Sequence, residues 1–379
     1  MDSWFDFDKR IFKHFNYILI LQLIPLFVIS SILVKEISPH LFKKQMVYYF
    51  IAAIAFFVSA FIPWRRILWW FVPLFYLSNL GLLVAVEFIG KSILGAKRWI
   101  EIPGTHMTIQ PSEFIKVAVI MMLGYLISRK PPPPQGYGLF DFIKLSIVII
   151  IPFVLIAKEP DLGTALVLLI AGFGILFIVG VNWKIWLTLL ILAGAGAPVI
   201  YEYGLKPYQK KRIHDALNKP SYQVRQALIA IGSGGMEGKS KEDATQTQLK
   251  FLPVSSTDFI FAYLGERFGF KGMLTVIGLY ILLIFNLLYI SARHGSDYLI
   301  KAFASGLAFL LFVYMGVNIY MIIGMAPVVG LPLPMFSHGG TSFIIFAVIF
   351  GILQNLIAFK DYNRYTSDAK ITMQTKDLH

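Results

Sequence analysis

Ten long apolar stretches constrain this chain more than any other feature of its sequence. Each stretch is close to the ~20 residues that an α-helix needs to cross about 30 Å of hydrocarbon. Because unpaired backbone groups are costly in lipid, such stretches predict helices rather than irregular loops. They lie at roughly 15–34, 46–63, 67–89, 111–128, 142–157, 162–181, 185–203, 271–292, 299–324 and 341–359. The sequence therefore predicts an all-α polytopic membrane protein with about ten transmembrane helices.

The composition agrees with this prediction. Of 379 residues, 57% are hydrophobic and 15% are charged, whereas about a quarter of the residues in a soluble domain are charged. The formal net charge of +13 fits a membrane protein, because Lys and Arg flank apolar spans and meet anionic lipid head groups. No nucleic-acid-binding motif accompanies the charge, so no nucleic-acid partner is expected. The lack of cysteine excludes disulfides and thiol chemistry.

The two ends of the chain lie outside the ten-span region, which extends over 15–359. Segment 2–14 has apolar residues on one helical face and is predicted to lie on the membrane surface; they are Trp4, Phe5, Ile11 and Phe12. The first apolar stretch is too long for a signal-peptide core and no cleavage site follows it, so we expect it to be retained. Ten spans put both termini, including the polar tail 360–379, on one side. The positive-inside rule assigns that side to the cytoplasm.

A large external loop is predicted between the seventh and eighth spans, at 204–270. Its polar stretch 204–257 carries nine Lys or Arg residues against four acidic residues. Long loops between closely connected spans are more often functional than idle. We therefore expect this basic loop to take part in function.

Charged residues also gather at the external ends of predicted spans, where ionisable groups usually face a cavity. Arg98 precedes a helix that starts near Pro111, and Glu113 and Lys116 share one face of that helix. One interpretation is an ion pair that holds the helix start. The other is a polar cavity wall in which Arg98 and Lys116 meet an anionic lipid head group. Asp161 lies in the next external turn and serves either the turn alone or a functional site.

Two further segments flank the last spans. Asp258 follows a Ser-Ser-Thr run and precedes an apolar helix, so it is either a helix cap or a functional carboxylate. Segment 324–342 is rich in Gly and Pro, so it must be shielded by protein or line a cavity. Its His338 has no partner at metal-ligand spacing and is expected to be packed or hydrogen-bonded. Without a P-loop or a nucleophile elbow, ATP-driven transport and serine hydrolysis have no support.

Six ordered motifs make the chain similar to the SEDS family (shape, elongation, division and sporulation proteins). They are GAKRWI at 95–100, QPSE at 110–113, PDLGT at 160–164, AIGSGG at 230–235, TDFIFA at 257–262 and SHGGTS at 337–342. Within the family, the PVVGLPLP stretch at 327–334 resembles the members that serve cell elongation. The resemblance implies a peptidoglycan glycosyltransferase of the bacterial inner membrane. Such an enzyme polymerises lipid II into β-1,4-linked glycan strands on undecaprenyl pyrophosphate.

The resemblance also implies roles for individual residues. Asp258 matches the family's essential loop aspartate and is expected to be the general base that deprotonates the acceptor's 4-hydroxyl, with inversion at the donor's anomeric carbon. Other residues are expected to bind or orient the head groups: Arg98, Glu113, Lys116, Asp161, Lys97 and Arg212. A divalent cation, Mg²⁺ or Mn²⁺, is expected to assist, with no ligands marked by the sequence, and no organic cofactor is expected. A class B penicillin-binding protein is the expected partner.

Two other functions fit the same spans and charges. A flippase that moves lipid II across the membrane also needs many spans, a polar cavity and lipid-binding cations. A scaffold that only recruits a penicillin-binding protein would leave the charged clusters without a purpose. Polymer formation by the purified protein in detergent separates a polymerase from a flippase, because detergent provides no second leaflet.

Overall fold

The computed structural model describes residues 14–93, 96–101, 108–159, 161–204, 210, 221–249 and 251–360, without the side chains at 92–97, 108 and 200. Apart from His14, the predicted surface segment at 2–14 lies outside the described residues. The tail beyond Lys360, Arg212 and the side chain of Lys97 also lie outside them. Predictions about these parts of the chain therefore stay predictions.

Helices account for each of the ten predicted spans. The described part of the chain contains nine helices that are long and apolar enough to cross a membrane, and a shorter apolar helix, α7. In order, the helices are α1 (Tyr17–Ile37), α2 (Pro39–Phe61), α3 (Trp64–Ile89), α4 (Pro111–Arg129), α5 (Leu139–Lys158), α6 (Leu162–Val179), α7 (Trp183–Val199), α8 (Tyr222–Gly234), α9 (Thr245–Gln248), α10 (Ile260–Arg293), α11 (Tyr298–Ile322) and α12 (Gly340–Ala358). The helical polytopic fold is thus confirmed, while the count of ten crossings stays a prediction.

Two helices form the centre of the bundle. α11 packs against α10, α6 and α4, and α12 packs along α2. Small residues allow the closest approaches, because Gly174 of α6 lies against Phe309, and Gly306 of α11 lies against Ile120 and Ile175. In lipid, such close packing of small residues replaces the hydrophobic drive that joins helices in water. The central helices therefore form a closely packed core, to which the loops of the candidate site are attached.

A small antiparallel sheet lies between α3 and α4 and was not predicted. Its strands are β1 (Lys91–Ile93), β2 (Ala96–Glu101) and β3 (Thr108–Ile109), in the order β1-β2-β3. An ion pair between Lys91 and Glu101 joins the first two strands. Strands of two to six residues with several charges are too short to give an alternating apolar pattern. The sheet bears on the candidate site because β2 carries Arg98, one of the predicted site residues.

The long connection between α7 and α10 is more helical than a simple loop. A π-helical turn (Ile200–Gly204) follows α7, and helix α8 packs on the first part of α10. α10 bends at Gly269, which has φ of 62° and lies against the backbone of Met236 and Gly238. Only glycine adopts this conformation at such close approach without strain. The predicted span at 271–292 is thus the second part of a helix that begins at Ile260, inside the predicted loop 204–270.

Candidate active site

Strand β2, the end of α5 and the start of α6 form a charged cluster around Arg98. Arg98 Nη1 lies 3.5 Å from Asp161 Oδ1, and Arg98 Nε donates a hydrogen bond to the carbonyl oxygen of Glu159 at 3.2 Å. Gln110 Nε2 donates to Asp161 Oδ2 at 3.2 Å. Asp161 also caps α6, because its Oδ1 accepts a hydrogen bond from Thr164 N at 3.3 Å. Asp161 therefore serves the turn and also joins the cluster.

A second cluster is centred on Lys116, which is 3% exposed. Lys116 Nζ lies 2.7 Å from Glu113 Oε1 and also donates a hydrogen bond to the hydroxyl of Tyr314 on α11. The predicted ion pair at the start of α4 is therefore present. Tyr314 was not predicted as its third member. A buried charge needs such partners, since an isolated ammonium in a low-dielectric environment is very costly.

Several buried oxygens near these clusters have no hydrogen-bond partner in the described structure. They are Ser112 Oγ, Glu113 Oε2 and both carboxyl oxygens of Glu159. Burial, and secondarily the charge of Asp161, raises the pKa of Glu159 to about 8. Because buried polar atoms are normally satisfied, these groups can form hydrogen bonds with water or with a ligand rich in hydroxyl or amide groups.

Asp258 lies in a tight turn that the carbonyl group of Val254 holds together. That oxygen accepts hydrogen bonds from the backbone N–H groups of Thr257 at 3.1 Å and Phe259 at 3.3 Å. Val254 has φ of 56°, a conformation that is rare for a β-branched residue. Strain of this kind costs of order 1–3 kcal/mol and clusters at functional sites. The strained turn therefore marks Asp258 as a candidate functional residue.

The Asp258 side chain itself is partly buried and accepts no hydrogen bond among the described residues. α10 has Phe259 at its N-cap and no side-chain cap bond, so the alternative in which Asp258 only caps the helix is wrong. Burial raises the pKa of Asp258 above its ordinary value of 3.8, because desolvation disfavours the charged form. The carboxylate is consequently a stronger base than an exposed aspartate.

The Gly-Pro-rich segment connects Asp258 with the start of α6. Gly163, two residues after Asp161, lies so close to Val329 that a Cβ on the glycine would be 2.9 Å from the valine Cβ. The next residue, Gly330, faces Asp258, and a Cβ there would be 3.4 Å from Oδ2. Val329 and Gly330 therefore lie between the segment of Asp161 and the side chain of Asp258, which are far apart in the sequence.

α11 connects the same aspartate with the Lys116 cluster. Tyr314, which contacts Lys116, lies four residues before Asn318, so the two share a face about 6 Å apart along the helix axis. Asn318 Nδ2 donates a hydrogen bond to the backbone oxygen of Asp258 at 2.8 Å. Through these contacts the structure connects Asp258 with the Lys116 pair and the Asp161 pair.

His338 supports the loop that carries Asp258. Its backbone N–H donates to Ser256 O at 2.9 Å. Its ring packs near that of Tyr48, with centroids 6.3 Å apart, and its Nδ1 has no hydrogen-bond partner in the described structure, so of the two predicted roles the packed one applies. Burial, with a smaller effect from Lys44, lowers the pKa of His338. Tyr314 and Asn318 are the site residues that sequence reasoning missed. Their signal was present, since both are polar residues four apart within an apolar span.

The residues that the structure describes form no site for a permanently bound metal ion. Among the described residues, no three His, Asp or Glu side chains lie close enough together to hold one. Mg²⁺ is commonly bound through one or two carboxylates together with phosphate oxygens and water. The donor set around Asp258 and Asp161 therefore supplies too few ligands for a resident ion.

Comparison with known proteins gives concordant matches over most of the chain. A model of the cell cycle protein family FtsW/RodA/SpoVE matches residues 8–362. A peptidoglycan glycosyltransferase MrdB of Helicobacter pylori is 50% identical over 362 residues, which cover 95% of this chain and 94% of that protein.

Two solved structures share the fold. One is a chain from a study of how a peptidoglycan synthase complex coordinates polymerization and crosslinking, with a TM-score of 0.77 and 25% identity, covering 91% of this chain and 98% of that one. The other is the rod shape determining protein RodA of Thermus thermophilus, with a TM-score of 0.66 and 25% identity, covering 92% and 97%.

Proposed function

Because the chain belongs to the FtsW/RodA/SpoVE family of cell cycle proteins, we propose that Asp258 is the general base of its glycosyl transfer reaction. The chain is a multi-pass inner-membrane peptidoglycan glycosyltransferase of the RodA type. The acceptor is lipid II, and the donor is the growing glycan on undecaprenyl pyrophosphate. The product is a β-1,4-linked glycan strand that serves cell elongation.

The proposed step is a single inverting displacement. The 4-hydroxyl oxygen of the acceptor's terminal sugar attacks the donor's anomeric carbon and forms the new C–O bond. The bond between that carbon and the diphosphate oxygen breaks, and its electron pair leaves with the diphosphate. The hydroxyl proton passes to the Asp258 carboxylate. Attack opposite the leaving group converts the α-linked donor into a β-linkage.

One observation carries the assignment of the base. The carboxylate of Asp258 has no hydrogen-bond donor among the residues that the structure describes, and burial raises its pKa. A general base is most effective when its pKa approaches the working pH. Ion pairing with a cation would have the opposite effect, since a nearby positive charge lowers a carboxyl pKa. The environment of Asp258 therefore favours proton transfer.

We propose that the cations of the two clusters stabilise the negative charge that develops on the leaving diphosphate. Preorganised charges act most strongly in sites from which water is excluded. Arg98 is paired with Asp161 and Lys116 with Glu113, so each acid holds its cation in a fixed orientation. Lys97 and Arg212 are further proposed contacts.

A divalent cation is proposed only as a companion of the substrate. The described side chains offer no three-ligand cluster, so Mg²⁺ or Mn²⁺ would take most of its oxygen ligands from the diphosphate and from water. The steps above do not depend on the ion.

We further propose that both termini are cytoplasmic and that the site faces the opposite side of the membrane. The positive-inside rule supports this orientation. The proposed partner is a class B penicillin-binding protein that cross-links the new strands. The similar solved chain comes from a complex in which polymerization and crosslinking are coordinated, which supports such a partner.

The deciding experiment measures polymerisation of lipid II by the purified protein in detergent. Wild type, Asp258→Asn and Asp258→Ala are compared, with Glu237→Gln as a control in the same external region. Glu237 is 75% exposed and paired with the exposed Lys271. General-base catalysis is typically worth about 10²–10⁴-fold in rate. The polymerisation rate of both Asp258 variants should therefore fall by at least about 10²-fold, while the control keeps the wild-type rate.

Retention of wild-type polymerisation by folded Asp258→Asn would overturn the assignment of the base. Unfolding of the variant is excluded by size-exclusion profiles and thermal melting in the same detergent. If the wild-type protein itself forms no polymer in detergent, with or without its partner, polymerisation is not its activity.

A further inference from the structure

Asn318 joins the two segments that meet at Asp258. Its side-chain nitrogen Nδ2 donates one hydrogen bond to the backbone oxygen of Asp258 at 2.8 Å and a second to the backbone oxygen of Leu331 at 2.7 Å. Asn318 is fully buried in α11, so it presents no surface to solvent or substrate. Both protons of its amide nitrogen are therefore used to hold the two loop segments.

These two hydrogen bonds determine where the Asp258 backbone lies relative to Gly330. Leu331 follows Gly330, and the Gly330 Cα faces Asp258 Oδ2. A backbone hydrogen bond from His338 to Ser256 provides a second link between the same segments. Of these links, only the one made by Asn318 depends on the identity of a side chain.

The burial of Asn318 argues that its amide is specifically required. A buried amide without partners costs about 1–3 kcal/mol on protein mutational scales, and polar groups within membrane helices are expensive and usually functional. The side-chain oxygen Oδ1 indeed has no partner in the described structure. An apolar residue would avoid that cost, so the donor groups of Asn318 give an advantage that apolar packing does not.

We propose that Asn318 is a positioning residue, which fixes the Asp258 backbone against Gly330 and so holds the carboxylate at the attacking hydroxyl. The inference rests on the proposed role of Asp258. Asn318 touches no substrate and acts only through the two carbonyl groups. A misplacement of about 1 Å in a reacting group can cost about 10²-fold in rate, so a small shift of this turn has a large effect.

The test replaces Asn318 by leucine, which has similar volume and no donor. For Asn318→Leu we expect kcat to fall about 10²-fold with little change in KM, because the substrate contacts remain. We also expect the acidic limb of the pH profile of kcat, where kcat falls as Asp258 becomes protonated, to move to lower pH. Release of the turn exposes the Asp258 carboxylate to water and returns its pKa toward the ordinary value.

Asn355→Leu provides the matched control. Asn355 is equally buried, and its Nδ2 donates to a backbone oxygen, that of Ala60, at 2.8 Å. A purely structural loss would reduce folded enzyme in both variants without moving the pH limb. If Asn318→Leu does not fold, Asn318→Gln is used, because it keeps the amide on a longer arm and should show the same two changes.

Wild-type kcat and an unmoved acidic limb in a folded Asn318 variant would overturn the positioning role, and so would a raised KM with unchanged kcat. The activities of the Asp258 and Asn318 variants together distinguish a failure of the positioning role from a failure of the proposed function. Full activity of Asp258→Asn would refute the base itself. An inactive Asp258→Asn together with a fully active Asn318→Leu would refute only the role of Asn318.

Discussion

Substitution of Glu113 tests how the Lys116 cluster is stabilised. In Glu113→Gln the carboxylate becomes a neutral amide of nearly the same shape, while Lys116 remains buried at 3% exposure. Lys116 then keeps two neutral hydrogen-bond acceptors, the amide oxygen at position 113 and the hydroxyl of Tyr314, but it loses its counter-charge. Its charge is no longer balanced, although the packing around it is preserved.

The expected loss of stability follows from the geometry. Two unit charges 2.7 Å apart attract each other by about 6 kcal/mol at an effective dielectric constant of about 20. Part of this attraction offsets the desolvation of both groups, and breaking a buried pair typically costs about 3–5 kcal/mol. We expect a loss in that range for Glu113→Gln. Glu113→Gln with Lys116→Met should recover most of it, because no uncompensated charge remains.

Thermal unfolding of the purified protein in detergent measures these differences. The single variant should melt several degrees below wild type, and the double variant should melt close to it. The exposed pair Glu237 and Lys271 is the control, because surface ion pairs contribute little. A single variant as stable as wild type, or a double variant no more stable than the single, would refute the reasoning.

Two further predictions concern pH. Asp258 must be ionised to accept a proton, and burial raises its pKa. The pH below which kcat falls should therefore lie above the ordinary pKa of aspartate. A fall of kcat that begins only near pH 4 would contradict this prediction. For Glu159, whose pKa burial raises from 4.5 to about 8, the neutral form is favoured in the folded state, so stability falls as pH rises from about 4.5 through about 8. Glu159→Gln should abolish this loss of stability. If the melting temperatures of wild type and variant change equally between pH 5 and 9, the prediction is wrong.

The sequence-based predictions were correct for contacts between residues close together in the sequence and failed for contacts between distant residues. The pair formed by Glu113 and Lys116 was predictable, because residues three apart on a helix share a face. The partner of Lys116 on α11 was not, since Tyr314 is 198 residues away. The structure was also needed to decide whether the Asp258 carboxylate caps the helix or is free, because the local sequence is compatible with either role.

The sequence by itself determined that the ten long apolar segments are helices, although it did not reveal α8, α9 or the first part of α10. Each apolar stretch must satisfy its own backbone hydrogen bonds in lipid, and the helix does so within the segment. Only the tertiary structure decided which helices touch and which charges meet. In lipid, apolar faces are already solvated, so contacts are set by close packing at small residues such as Gly163 and Gly306. That packing brings Asp161, Lys116 and Asp258 into one region, and no local pattern specifies it.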